Sequence, residues 1–167
     1  MTEAALKQDT QQESHAHQEL IDLLGSVDIS LNDLRKFDDE TIEGIYSFAY
    51  SYYENGWYDE AENLFRLLVS LRIRKYSYWK GLGATLQMLK KYEEAIEAYS
   101  WAAITDQSIS DPYPHFHAAE CFHTMGDYTR GLKALYSAKT IAKKQGTYHA
   151  LLQQIDLLQQ TWRNKRS

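Results

Sequence analysis

The stretch IYSFAYSYYENGWYDEAENLF, running from Ile45 to Phe65, decides the fold, because its pattern returns thirty-four residues later as WKGLGATLQMLKKYEEAIEAY, from Trp79 to Tyr99. Ile45, Ala49, Tyr58, Ala61 and Phe65 fall opposite Trp79, Gly83, Tyr92, Ala95 and Tyr99. Large, small and large side chains at fixed offsets are what two antiparallel helices need where they cross. The small residue lets the backbones approach and the large ones fill the space beside it. Ala49, Gly83 and Ala119 take the small position, and Tyr52, Phe65, Trp79 and Tyr99 are the expected fillers. Self-similarity at this period marks a stack of helix pairs, each with an apolar face that only its neighbour can cover.

The period and offsets are those of the tetratricopeptide repeat. The first unit is Ile45, Phe48, Ala49, Tyr52, Gly56, Tyr58, Ala61, Phe65 and Leu68. The second departs at one turn, with Lys90 where the first has Gly56. A third unit reads His115, Ala118, Ala119, Phe122, Gly126, Tyr128, Gly131, Leu135 and Ala138, offset by thirty-six residues. The two extra residues fit within Gln107 to Pro114, whose Ser, Asp and Pro content reads as a loop. The fold class expected is all-α: a solenoid of three repeats over 38–146, with an N-terminal helical region over 14–37 and a capping helix and basic tail over 147–167. Residues 1–13 are polar without an apolar period and read as disordered. From Ser14 to Leu24 the residues Leu20, Ile21, Leu23 and Leu24 mark an amphipathic helix closed by Gly25, and a helical turn is expected over Ser30 to Phe37. Asp38 or Asp39 is placed to cap the first repeat helix. At the far end Tyr148, Leu151, Leu152, Ile155, Leu158 and Trp162 recur at helical spacing.

Composition agrees with one soluble domain: 167 residues and 44% hydrophobic content suffice for a core. No run approaches the about 20 apolar residues of a membrane span, and no basic-then-apolar leader opens the sequence. With a single cysteine, Cys121, no intrachain disulfide forms, and a cytoplasmic, reducing setting is expected. Charge divides along the chain. Residues 1–67 carry 15 acidic and 4 basic side chains, a net of −11, and residues 68–167 carry 8 acidic and 14 basic, a net of +6. Such a split orients a head-to-tail or antiparallel dimer or steers a partner of mixed charge, unless it is only solvated helix surface. Arg163, Lys165 and Arg166 form a short tail and no basic stripe interleaves with aromatics, which excludes nucleic acid as the expected partner.

The first helix of each unit lines one surface of the array, and residues one turn apart on it point the same way. Tyr46, Tyr50 and Tyr53 do so on the first unit, at positions the repeat packing does not require. Three tyrosines supply broad apolar contact and hydroxyls at small entropic cost, which suits gripping an extended peptide, although a covering helix or dimer partner rewards the same chemistry. The second unit offers Ser77, Lys80, Ala84 and Gln87, and the third Tyr113, Phe116, Glu120 and His123. A clamp for a terminal carboxylate needs Lys, Asn and Arg on these helices, but the positions hold Tyr46, Tyr50, Gly81, Tyr113 and His117. For chemistry, the cluster to weigh is His115, His117, His123 and Cys121. His117 and Cys121 stand one turn apart, but a zinc site wants a further ligand pair and none is present. With no nucleophile elbow or phosphate loop either, the sequence points to a binding protein without catalytic residues, cofactor or metal.

Three segments carry a narrower resemblance: Ile45-Tyr-Ser-Phe-Ala-Tyr-Ser-Tyr-Tyr, Gly56-Trp-Tyr-Asp-Glu-Ala-Glu-Asn-Leu-Phe, and Pro114-His-Phe-His-Ala-Ala-Glu-Cys121. Over residues 15 to 160 the chain resembles the class II chaperones of bacterial type III secretion, which are dedicated to two pore-forming translocators. The resemblance implies a cytoplasmic chaperone that keeps a translocator soluble before secretion and grips an extended segment near its N-terminus, with anchors spaced Pro-x-Leu-x-x-Pro, in a concave groove. It carries Tyr46, Tyr50, Tyr53, Leu71 and Tyr99 over as groove residues, and the concave spacing adds Phe116. It implies a homodimer through the N-terminal region, here Leu20, Ile21, Leu23 and Leu24, and some members act with an activator to switch on transcription. Other readings are a transcriptional co-regulator working with such an activator, or a generic peptide-binding scaffold. The chain departs from its relatives in the longer loop before the third unit and in its basic tail.

Overall fold

A computed structural model describes residues 37–165. The segment expected over 1–13 and all of the 14–37 region but its last residue, with Leu20, Ile21, Leu23 and Leu24, lie outside the described residues, as do the last two residues of the tail. Among the described residues there are seven helices and no strand: α1 (Asp39–Glu54), α2 (Tyr58–Leu71), α3 (Tyr76–Met88), α4 (Tyr92–Thr105), α5 (Tyr113–Thr124), α6 (Tyr128–Gln145) and α7 (His149–Lys165). The chain divides into two compact units, Met1–Gly44 and Ile45–Ser167. Within the first, Asp38 is the residue that caps α1: its Oδ1 accepts the Thr41 backbone N–H at 2.8 Å. The Thr41 side chain and backbone hold the Asp38 carboxyl below its usual range.

The second unit stacks its helices in chain order, each packing against the next from α2 to α7, with α3 also meeting α5. The turns inside the pairs share one construction. Gly56 N–H bonds to the Tyr53 carbonyl and Trp57 N–H to that of Tyr52, at 3.1 and 2.9 Å. Lys90 with Gln87 and Lys91 with Leu86 repeat this, as do Gly126 with His123 and Asp127 with Phe122. This double closure of a helix end requires a left-handed residue, which is why φ is 80° at Gly56 and Gly126 and 61° at Lys90. The missing turn glycine leaves the geometry unchanged and puts a side chain into a conformation that disfavours one.

Close approach is enforced at two glycines. A Cβ on Gly83 would lie 2.7 Å from the Tyr99 ring, the contact the repeat pattern predicts. A Cβ on Gly81 would lie 2.3 Å from Phe65, which the pattern marks as a filler, although Gly81 itself is not one of its positions. Trp79, expected as a gap filler, is only partly buried. It stacks on the exposed Trp101 with centroids 5.5 Å apart, while its Nε1 donates to the Ile73 carbonyl at 2.7 Å. The expected loop spans 106–112 and is organised by Asp106, whose carboxylate accepts the N–H groups of Ser108, Ser110 and Asp111. Pro114 falls in the first turn of α5, where its missing N–H costs nothing. The C-terminal core joins Phe116, Leu135, Leu151, Ile155 and Trp162, so α7 covers the apolar face of the third pair.

Candidate functional site

Spacing of four and three residues puts Tyr46, Tyr50 and Tyr53 on one side of α1, where their environments differ. Tyr46 is partly buried, its ring 6.2 Å from Phe65 and 5.2 Å from Tyr78, so it belongs half to the packing and half to the surface. Tyr50 is 51% exposed. A hydrogen bond with Glu54, one turn on, pushes its hydroxyl pKa upward. Tyr53 is partly buried, edge-on to Tyr58 at 5.7 Å, and burial raises its pKa. A hydroxyl on an apolar ring suits a peptide that offers carbonyls and aliphatic side chains, and the upward shifts keep Tyr50 and Tyr53 in the donor form. Leu71 closes α2 and is partly buried.

The other two expected groove residues are interior. Tyr99 is 2% exposed and Phe116 3%. The Tyr99 hydroxyl donates to Gln87 Oε1 at 2.8 Å. Burial, with Cys121, Tyr53 and Glu120 nearby, raises its pKa strongly. From there a polar run crosses three helices: Gln87 Nε2 reaches Glu120 Oε2 at 3.4 Å, and the same oxygen meets His117 Nδ1 at 2.8 Å. The His117 ring lies between Tyr99 and Tyr113, stacked at 5.6 and 5.7 Å. Tyr113 in turn meets Tyr148 edge-on at 5.9 Å, carrying the aromatic lining to the foot of α7.

Beside this run stands an ion pair to which the sequence assigned no role. Asp111 Oδ2 accepts Lys80 Nζ at 2.7 Å and the Tyr76 hydroxyl, while Oδ1 accepts the Tyr113 backbone N–H at 2.8 Å. Burial alone would raise the Asp111 carboxyl, but these three donors overcome it and hold it below the usual carboxylate range. The Lys80 ammonium lies 5.6 Å from the centres of both the Tyr76 and Tyr113 rings, a cation between two aromatic walls.

The histidine and cysteine cluster takes another course. Among the described residues no group of three or more His, Cys, Asp or Glu side chains converges as metal ligands. Cys121 is fully buried, and burial pushes its thiol up to about 12, which opposes the thiolate that a metal or a nucleophilic step needs. The surface offers hydroxyls, rings and already paired charges, a composition suited to contact with an extended chain.

The tetratricopeptide repeat family matches residues 42–72 and 77–107. The chain is 34% identical over 108 residues to the low calcium response locus protein H of Yersinia pestis, covering 65% of this chain and 63% of that protein. It is 30% identical over 93 residues to the chaperone protein SicA of Salmonella dublin, covering 55% and 54%. The aligned regions therefore span less than two thirds of these curated relatives. Among solved structures, PcrH of Pseudomonas aeruginosa in complex with the chaperone binding region of PopD superposes with a TM-score of 0.74 and 31% identity, over 79% of this chain and 98% of that one. The type III secretion chaperone SycD of Yersinia enterocolitica, in complex with a peptide of the translocator YopD, gives 0.73 and 28% over 79% and 99%. With its repeats, its α7 cap and relatives of this identity and coverage, the chain belongs to the tetratricopeptide-repeat chaperones of bacterial type III secretion.

Proposed function

We propose that this chain is a cytoplasmic chaperone of pore-forming translocator proteins, holding an extended N-terminal segment of its cargo against the tyrosine face of α1. The observation that carries the reading is Tyr50, half exposed between the partly buried Tyr46 and Tyr53 on α1. Tyr46, Tyr50, Tyr53 and Leu71 form the contact surface, while Tyr99 and Phe116, both interior, act through the packing of the second and third repeats. Relatives crystallised with PopD and YopD segments support the choice of cargo, and no helix of the described residues is long and apolar enough to cross a membrane. The role is binding without a chemical step. Translocators carry membrane-inserting segments, and occupying part of such a chain lowers the concentration of the aggregating species by mass action. An extended ligand bears its ordering cost on binding, so affinity on the order of micromolar is expected, compatible with release at the secretion apparatus.

Fluorescence anisotropy of a labelled peptide with Pro-x-Leu-x-x-Pro anchors tests this. Saturable binding is expected for the wild type, and Tyr50→Ala should weaken it about tenfold or more, roughly 1.4 kcal/mol. Because Tyr50 is exposed, its removal leaves the fold intact. A folded wild type that does not bind the peptide ends the groove reading.

A further inference from the structure

Thirty-four residues after Tyr46, Tyr50 and Tyr53, the same places on α3 hold Lys80, Ala84 and Gln87. Facing them on α5 are Tyr113, His117 and Glu120: Lys80 Nζ lies 5.6 Å from the centre of the Tyr113 ring, and Gln87 Nε2 reaches Glu120 Oε2 at 3.4 Å. The lining thus changes from tyrosine rings on α1 to hydrogen-bonding groups on α3 and α5. At the Lys80 end these groups are nearly all donors. Asp111 is fully engaged, with Oδ2 accepting Lys80 Nζ and the Tyr76 hydroxyl and Oδ1 accepting the Tyr113 N–H. Lys80 has three N–H groups and a side chain 39% exposed, yet among the described residues it donates only to Asp111. The Tyr113 and Tyr148 hydroxyls donate to no described residue. Tyr148 stands close by: burial raises its hydroxyl pKa, and Asp111 and Tyr113 add to the shift.

Donors without acceptors, set among aromatic walls, fit a ligand that accepts. A carboxylate is disfavoured, because Asp111 and Glu120 already set two carboxylates against the one lysine. A carbonyl meets no such repulsion, and an extended chain offers one per residue. We propose that Lys80, Tyr113 and Tyr148 form a second subsite, which binds backbone carbonyls of the cargo segment beyond its apolar anchors without reading their sequence. This rests on the cargo reading above and extends its footprint from α1 to the foot of α7. Ring centres from Tyr99 through His117 and Tyr113 to Tyr148 follow one another at 5.6, 5.7 and 5.9 Å. About six extended residues, ~20 Å of chain, cover that path. Asp111 acts through Lys80, as a positioning residue, and comes from the 106–112 loop in which the third unit departs from the thirty-four-residue spacing. Selectivity then stays with the anchors, while the second subsite adds hold on whatever chain follows them.

Anisotropy titrations of the full chain compare the labelled anchor peptide with versions carrying about six further Ser, Gly and Ala residues at one end or the other. Extension at one end should lower the dissociation constant about fivefold, the scale of one or two net hydrogen bonds. Lys80→Met keeps the aliphatic stem and loses the donors, and Tyr148→Phe keeps the ring and loses the hydroxyl. Lys80→Met should remove most of the gain and Tyr148→Phe part of it, with unchanged helical circular dichroism and unchanged binding of the short peptide. Replacing added residues with Asp or Glu should bring no improvement. If the short peptide does not bind, the groove reading falls and this proposal with it. If the short peptide binds and neither extension gains, the second subsite alone is overturned. A gain that survives intact in both variants overturns it as well. So does an acidic extension that binds about tenfold tighter than its neutral counterpart, since Lys80 would then be recruiting a carboxylate.

Discussion

Lys90 adopts φ 61° in the same turn that Gly56 and Gly126 make at 80°, and a side chain in that region costs about 1–2 kcal/mol. Lys90→Gly should therefore raise stability by about 0.5–1 kcal/mol after the added freedom of the unfolded chain is subtracted. A shifted urea midpoint at unchanged slope is the expected readout. The opposite sign is expected at Gly83, where an added methyl meets a Tyr99 ring that is itself buried and hydrogen-bonded. Gly83→Ala should cost about 1–3 kcal/mol through overpacking. Gly131→Ala, whose nearest contact is 3.3 Å from Trp162, should be milder. The first of these positions is legible in the chain because the turn repeats and the odd residue stands out. Gly81 is not, since it lies outside the consensus positions and its need comes from where the Phe65 ring across the helix crossing comes to rest.

Among the elements, α5 depends on a residue outside it. Asp111 caps its N-terminus and pairs with Lys80 on α3, thereby tying the second repeat to the third. Its carboxyl lies below the ordinary value of 3.8 in the folded protein. A depressed carboxyl stabilises the fold above its unfolded value, and that contribution disappears as pH falls through the folded value. Asp111→Asn keeps the cap acceptor and loses the charge. It should lower the melting temperature by a constant amount above about pH 5, with the gap to wild type narrowing below the unfolded value near 4. Thermal melts at several pH values check this. Sequence alone places a Ser, Asp and Pro-rich loop here but does not connect Asp111 to Lys80, because thirty-one residues separate them and only the stacking of α3 on α5 brings them together. Trp101 is illegible for a related reason: its stack with Trp79 depends on how α3 and α4 are rotated, which hydrophobic spacing does not set.

Across the second unit, each helix pair is covered by the next, and α7 ends the series by laying Leu151, Ile155 and Trp162 on the third pair. Stability in such a stack is a sum over neighbours, so Trp162→Ala, which empties a buried indole site, should cost about 3–5 kcal/mol. The loss should fall first on α5 and α6, seen as faster amide hydrogen exchange there than in α3 and α4. The cap was readable from the helical spacing of its apolar residues. The interior place of Phe116 was not, because a residue one turn from Tyr113 fits either face of α5 until α7 is in position. Cys121, buried in that same third repeat, gives the molecule a built-in clock. A disulfide reagent added under native conditions reaches this thiol only when the repeat opens. Its reaction rate therefore reports how often the C-terminal half of the stack comes apart, without any label, and a bound cargo that braces α5 should slow it.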